Sequence, residues 1–162
     1  PPTTPSTAPP TTPPTSPPGT TAQIGQRGKR FQPDVLVIQT GTAVDFPNFD
    51  TVRHHVYSFS PIKTFELKLY AATPAAPVVF DKPGNAVLGC NIHDAMTAHV
   101  RVVDTPYFAL TDAQGKAVLD VPAGSHLMKV WHRGLPVDTE PEARPLTVTA
   151  TGARVAVKAE AP

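Results

Sequence analysis

From Phe31 onward the chain is built of short runs in which apolar and polar residues alternate, and each run stops at Gly, Pro, Asn or Asp. Val35-Leu36-Val37-Ile38, Val44-Asp45-Phe46, Val56-Tyr57-Ser58-Phe59, Phe65-Glu66-Leu67-Lys68-Leu69-Tyr70, Val78-Val79-Phe80, Ala86-Val87-Leu88 and Val100-Arg101-Val102-Val103 are the clearest. A period of two sends successive side chains to opposite faces of a strand. Breakers every few residues leave no room for a long helix. The expectation is an all-β chain folded as an antiparallel sandwich. Tyr57, Phe59, Phe65 and Phe80 read as core. A single short helical turn fits near Asp94–Thr97.

Residues 1–20 are nearly half proline, with no charged or aromatic side chain. Such a tract cannot bury enough to fold and favours an extended spacer. The reading divides the chain into a Pro/Thr-rich linker over 1–30, a β domain over 31–104, and a C-terminal β extension over 105–162. Five runs, at 108–110, 117–119, 126–132, 146–148 and 155–157, suggest about five strands in the extension. It is too short for an independent core and is expected to pack on or beside the first domain. The runs between them carry turns at Asp112–Gly115 and about Gly152.

The 162 residues carry 14 basic and 13 acidic groups, a net charge of +1. No basic block interleaved with aromatics points to nucleic acid. No apolar run approaches the roughly 20 residues of a membrane span. A membrane anchor or a preceding domain would fit the far end of the spacer. The single cysteine excludes an internal disulfide and a Cys₄ or Cys₂His₂ zinc cluster.

That cysteine sits in Gly89-Cys90-Asn91-Ile92-His93-Asp94-Ala95-Met96-Thr97-Ala98-His99. Cys90, His93 and Met96 are spaced by three. A cysteine leaving a strand, with the other two on the next loop, can set thiolate, imidazole and thioether around one point. These donors are soft or borderline and select copper over magnesium or calcium. A second imidazole must come from elsewhere, and Asn48-Phe49-Asp50-Thr51-Val52-Arg53-His54-His55-Val56 offers two. Alternation puts His54 and His55 on opposite faces, so one of them faces a given site. His126 and His132 lie too far apart along a strand to share an ion.

These pieces resemble the cupredoxins, the plastocyanin, pseudoazurin and amicyanin family. Gly41 to Asp50 is similar to the family's strand and Asn-x-Asp loop, His54 to its first histidine, and Cys90-x-x-His93-x-x-Met96 to its closing loop in the short, amicyanin-like form. The likeness covers about residues 34–104. More narrowly, Asn48 to Trp131 resembles bacterial periplasmic plastocyanin-like proteins of the methylamine-utilisation type. The segments Thr111–Gly115 and Val121–Ser125 are similar to transthyretin-like or carboxypeptidase-regulatory modules, which are usually non-catalytic. The resemblance implies a Greek-key cupredoxin β-sandwich and a copper ion held by His54, Cys90, His93 and Met96. His55 and His99 are candidate extra or substitute donors. His55 stands where relatives often carry an asparagine that ties the two ligand loops together.

The implied function is that of a type 1-like mononuclear copper protein, not an enzyme, cycling between Cu(II) and Cu(I). It would carry single electrons between redox proteins that dock transiently near His93, in the periplasm or another extracytoplasmic space. Backbone N–H groups near Asn48 and Asn91 are candidates for hydrogen bonds to the thiolate. Copper binding and delivery is an alternative, resting on His55 and His99. A metal-free β-sandwich interaction module is the other. Thiol or zinc hydrolysis finds no orienting third group or oxyanion hole.

Overall fold

The computed structural model describes residues 21–72, 76–91 and 96–158, the side chain of Leu69 apart. These hold twelve strands: β1 (Thr21–Gln23), β2 (Gly25–Gln26), β3 (Phe31–Gln32), β4 (Val35–Gln39), β5 (Thr42–Asp45), β6 (His54–Ser60), β7 (Lys63–Tyr70), β8 (Val78–Phe80), β9 (Gly84–Gly89), β10 (Thr97–Val103), β11 (Gly124–Met128) and β12 (Arg144–Val148). Every apolar run expected as a strand between 35 and 103 falls on one, with Phe46 just past the end of β5. No helix among them is long and apolar enough to cross a membrane.

The fold is an all-β sandwich. One sheet has five strands in the order β4-β10-β9-β6-β7, and the other has three in the order β1-β5-β8. β4 pairs parallel with β10 and β1 parallel with β5, while the remaining pairs run antiparallel. Alternation sorts the faces. In β10 and just ahead of it, Met96, Ala98, Val100 and Val102 are buried in the core. In β6, His54, Val56 and Ser58 are buried with them, and His55, Tyr57 and Phe59 take the other face. Between the sheets, Phe65 links Phe46 (centroids 5.6 Å apart) to Phe80 (6.1 Å, edge to face).

Three expectations are corrected. Among the described residues strand structure is already present at Thr21, ahead of Phe31. Thr21-Ala22-Gln23 pairs with Ala43-Val44-Asp45, and Ile24 and Gln26 are fully buried; residues 1–20 lie outside the described residues. Phe59 is 71% exposed, because its place in the alternation sends it to the outer face of β6. Beyond Asp104 one hairpin forms, β11 with β12, in place of about five strands. No described residue from 105 to 158 is buried, so the apolar residues there have no second layer to drive further pairing. His132 accordingly leaves the strand and accepts the Gly134 N–H on Nδ1.

Residues 129–140 lie across the outer face of the large sheet. The Arg101 guanidinium grips both carboxylate oxygens of Glu140 (2.8 and 3.0 Å) and donates to Asn85 Oδ1 (2.8 Å). Asn85 Nδ2 donates to the carbonyls of Val137 and Thr139. Trp131 packs beside His99, and Arg133 pairs with Asp34. The hydrogen bond from Arg101 holds the Glu140 carboxyl below its ordinary range, against burial and with help from Lys129. Phe80→Ala, which empties the contact between the sheets, should lower unfolding free energy by about 3–5 kcal/mol. Phe59→Ala on the outer face should change it by less than about 0.5 kcal/mol. Urea denaturation of the two variants checks the assignment of faces.

Candidate metal centre

The site forms where the loop before β6 meets the ends of β9 and β10. Asn48 organises the loop. Its Nδ2 donates to the carbonyls of Val52 (2.8 Å) and Tyr70 (3.1 Å), and its Oδ1 accepts the Asp50 N–H (2.9 Å). This side-chain turn delivers the chain into β6 with His54 first. The Asn48 and Phe49 N–H groups donate to Ala72 O and Gln26 O. The backbone donors at 48, 49 and 50 are therefore engaged within the loop and its neighbours. This corrects the expectation that an N–H near Asn48 bonds to the thiolate.

Asp50 is the anchor of His54. Its Oδ1 accepts the Gly28 N–H (2.6 Å), and its Oδ2 accepts the Lys29 N–H (2.9 Å) and faces His54 Nε2 at 2.7 Å. Burial works to raise the Asp50 pKa. The hydrogen bonds from Lys29, His54 and Gly28 outweigh it and hold the carboxyl below its ordinary range. An ionised carboxylate only accepts, so Nε2 is the nitrogen that donates to Asp50, and Nδ1 is the one left to meet an ion. His54 is fully buried, and Nδ1 lies 4.0 Å from Cys90 Sγ.

Cys90 follows β9 and Met96 precedes β10. The register Gly89↔Thr97 brings the two ends of their loop together. Both side chains are buried, and both line one cleft with Tyr57, Gly89, Asn91 and Thr97. Tyr57 lies directly across from Gly89, and a Cβ there would meet its hydroxyl at 2.6 Å. Glycine before the cysteine is therefore what lets the Tyr57 ring close over the strand. Tyr70 pairs with His54 across β6 and β7, and its hydroxyl is shared between Phe46 O (2.7 Å) and Gln26 Oε1 (2.9 Å). Burial pushes the Tyr70 phenol pKa upward, the Gln26 hydrogen bond opposing and the Cys90 charge adding.

Of the expected donors, the structure thus brings His54 and Cys90 within 4.0 Å of each other and places Met96 on the cleft that Cys90 lines. His93 lies outside the described residues, as does Asp94. Among the described residues no three His, Cys, Asp or Glu side chains converge as a metal-holding group. The other histidines are elsewhere. His55 points to the opposite face, with Nε2 3.0 Å from Glu66 Oε1. Asn48 fastens its own loop to Val52 and to Tyr70 at the end of β7. His99 is on the outer face of β10 beside Trp131, where burial, and then Arg133, push its pKa down while Asp34 opposes.

The donors fit copper. His54 Nδ1 and Cys90 Sγ, 4.0 Å apart and both buried, are close enough that one ion could meet both. Imidazole, thiolate and thioether in an apolar shell form a soft set. Asp50 is the functional residue whose role sequence reasoning missed. Its signal was present, since Asp50 and His54 stand four apart in a short loop. Tyr70 and Gln26 carried none, because only the register brings them to the site.

No sequence family and no curated protein matches the chain. Solved structures do. The chain is similar to a copper-containing nitrite reductase from Thermus scotoductus SA-01, with 27% identity over 52% of this chain and 22% of that one and a TM-score of 0.48. It is similar to a purple cupredoxin from Nitrosopumilus maritimus, with 26% identity over 51% of this chain and 99% of that one and a TM-score of 0.46. Amicyanin from Paracoccus versutus is similar with 17% identity over 51% of this chain and 80% of that one and a TM-score of 0.43. The chain spans about a fifth of the nitrite reductase.

Asp50→Ala should cost the metal-free protein about 1–2 kcal/mol, since solvent reaches part of the carboxylate. The sign with pH follows from the lowered pKa. The Asp50 contribution is complete above the ordinary value of 3.8 and is lost as pH falls through the lower folded value. Thermal melts from pH 7 to pH 2 should show a shallower acid decline in Asp50→Ala than in the parent.

Proposed function

We propose that the chain is a mononuclear copper protein of the cupredoxin type that carries single electrons between redox proteins. The carrying observation is the buried approach of His54 Nδ1 to Cys90 Sγ, with His54 Nε2 held by Asp50. His54, Cys90 and Met96, with His93 from the loop between them, are the residues that would hold the ion. Copper bound there supplies a one-electron centre whose potential depends on the thiolate, the axial sulfur and the surrounding hydrogen bonds.

The chain's own residues suit that task. His54 enters on a loop fixed by Asn48 and Asp50, so its ring has little freedom to reorient. Cys90 and Met96 stand at the two ends of one loop, beside β9 and β10, and are buried among the apolar core residues. A donor set held by the sheet loses little to reorganisation when the charge on the site changes by one. Substrate chemistry is not part of the reading. Redox partners docking near His93 and an extracytoplasmic location complete it.

The delivery reading rested on His55 and His99 as additional donors. The His55 ring lies on the face of β6 opposite His54, beside Tyr57, and the His99 ring packs beside Trp131; neither is brought to His54 Nδ1 and Cys90 Sγ, and this favours the carrier. Copper(II) added to the parent protein should give an intense thiolate-to-copper charge-transfer band in the visible and a matching paramagnetic resonance signal. Both should disappear on one-electron reduction and return on oxidation. Cys90→Ser should lose the band; identical spectra for the two proteins would remove Cys90 from the site and the proposal with it.

A further inference from the structure

We propose that the turn Arg27–Arg30, with Phe49 and Arg53 beside it, is a docking face for an acidic redox protein, one that surrounds its own redox centre with carboxylates. This rests on the electron-carrier reading of the His54–Cys90 site and names the kind of partner it meets. In the encounter one electron leaves the copper centre of one protein and enters the redox centre of the other, in either direction.

The turn is a tight hairpin. Arg27 and Arg30 exchange both backbone hydrogen bonds (3.0 and 3.2 Å), with Gly28 and Lys29 between them. Both central residues have positive φ, 61° and 56°. Such a turn favours glycine or asparagine at its centre, and a lysine there is strained. A cation is thus kept at a position whose backbone disfavours it. The N–H groups of Gly28 and Lys29 both donate to Asp50, which also faces His54. The turn is therefore fastened to the loop that delivers the first imidazole.

The charge on this face is predominantly positive. Arg27, Lys29, Arg30 and Arg53 are all exposed, and among the described residues none of them forms an ion pair. Asp50 is the only carboxylate in residues 25–32 and 47–54, and its oxygens are engaged by the Gly28 and Lys29 N–H groups and by His54 Nε2, so four cations stand against one carboxylate. The whole chain carries only +1, so the field is local and belongs to this end of the molecule. An apolar spot lies within it. Phe49 is 50% exposed, with the Arg27 guanidinium 4.8 Å from its ring centroid. Gly25 makes room for that ring, since a Cβ there would meet it at 2.8 Å.

Four exposed cations on this turn and loop, one of them over an exposed aromatic ring, match a protein surface of carboxylates with an apolar spot. Complementary charge raises the encounter rate and fixes orientation without holding the complex. A polyphosphate chain calls for a longer basic stripe than this. The face also lies on the loop of His54, so a protein seated there is close to the centre it exchanges electrons with.

The test titrates the full-length, metal-free, ¹⁵N-labelled protein at low salt with a hexaglutamate peptide, with hexalysine in parallel. Backbone amide shifts should be confined to residues 25–30 and 49–53, should appear with hexaglutamate alone, and should vanish at high salt. Lys29→Gly combined with Arg53→Gln should weaken binding about tenfold. Lys29→Gly alone should raise the melting temperature while weakening binding, a pair of changes that a purely structural lysine would not give. Shifts centred elsewhere, no shifts, or equal affinity in the double variant would overturn the docking face. So would stronger binding to phosphatidylglycerol vesicles or to a short single-stranded DNA than to hexaglutamate. Copper takes no part in this titration. A protein that binds the peptide here but forms no thiolate–copper centre overturns the electron-carrier reading, and one that forms the centre but shows no peptide shifts overturns the docking face.

Discussion

The contact between Asp50 and His54 is the constraint on which the rest of the site depends. One carboxylate receives two backbone N–H groups from the Gly28-Lys29 turn and the imidazole Nε2 from the start of β6. It thereby joins the edge hairpin to the loop before His54, and it settles which ring nitrogen is left to meet an ion. Without it, a fully buried histidine would have to satisfy Nε2 in an apolar core, at the cost of an unmade hydrogen bond.

The sandwich supplies the other half of the geometry. β10 lies between β4 and β9, and its register with β9 pins Cys90 and Met96 as neighbours. β6 lies on the far side of β9, so His54 arrives from the adjacent strand onto the same buried face. Site and core are one structure, and Cys90 and Met96 are counted among the most buried side chains of the molecule. Stability and donor placement should respond together to changes in β9 and β10.

Alternation and breakers made the strands of the sandwich legible, and with them the faces of His54, His55 and the β10 residues. The spacing of Cys90, His93 and Met96 made the donor types legible as well. Three things were not. The burial of Ile24 and Gln26 depends on pairing with β5, which no local pattern near Thr21 announces. The apolar runs after Asp104 alternate as strands do, but pattern alone does not say whether a second layer exists to bury them. Phe59 fits the alternation of β6 as well as Val56 does, and only the register says which of the two faces is covered. Asp50 shows why polar roles are harder still to read: its partners come from a turn more than twenty residues earlier and from a ring orientation that sequence does not record.

The account's central claim is that the His54 imidazole and the Cys90 thiolate bind the same copper ion. X-ray absorption at the copper edge of the loaded protein tests it most directly. The account predicts a short copper–sulfur vector together with imidazole scattering, the sulfur vector absent from Cys90→Ser and the imidazole scattering reduced in His54→Ala. A first shell of nitrogen and oxygen alone in the parent protein would contradict it.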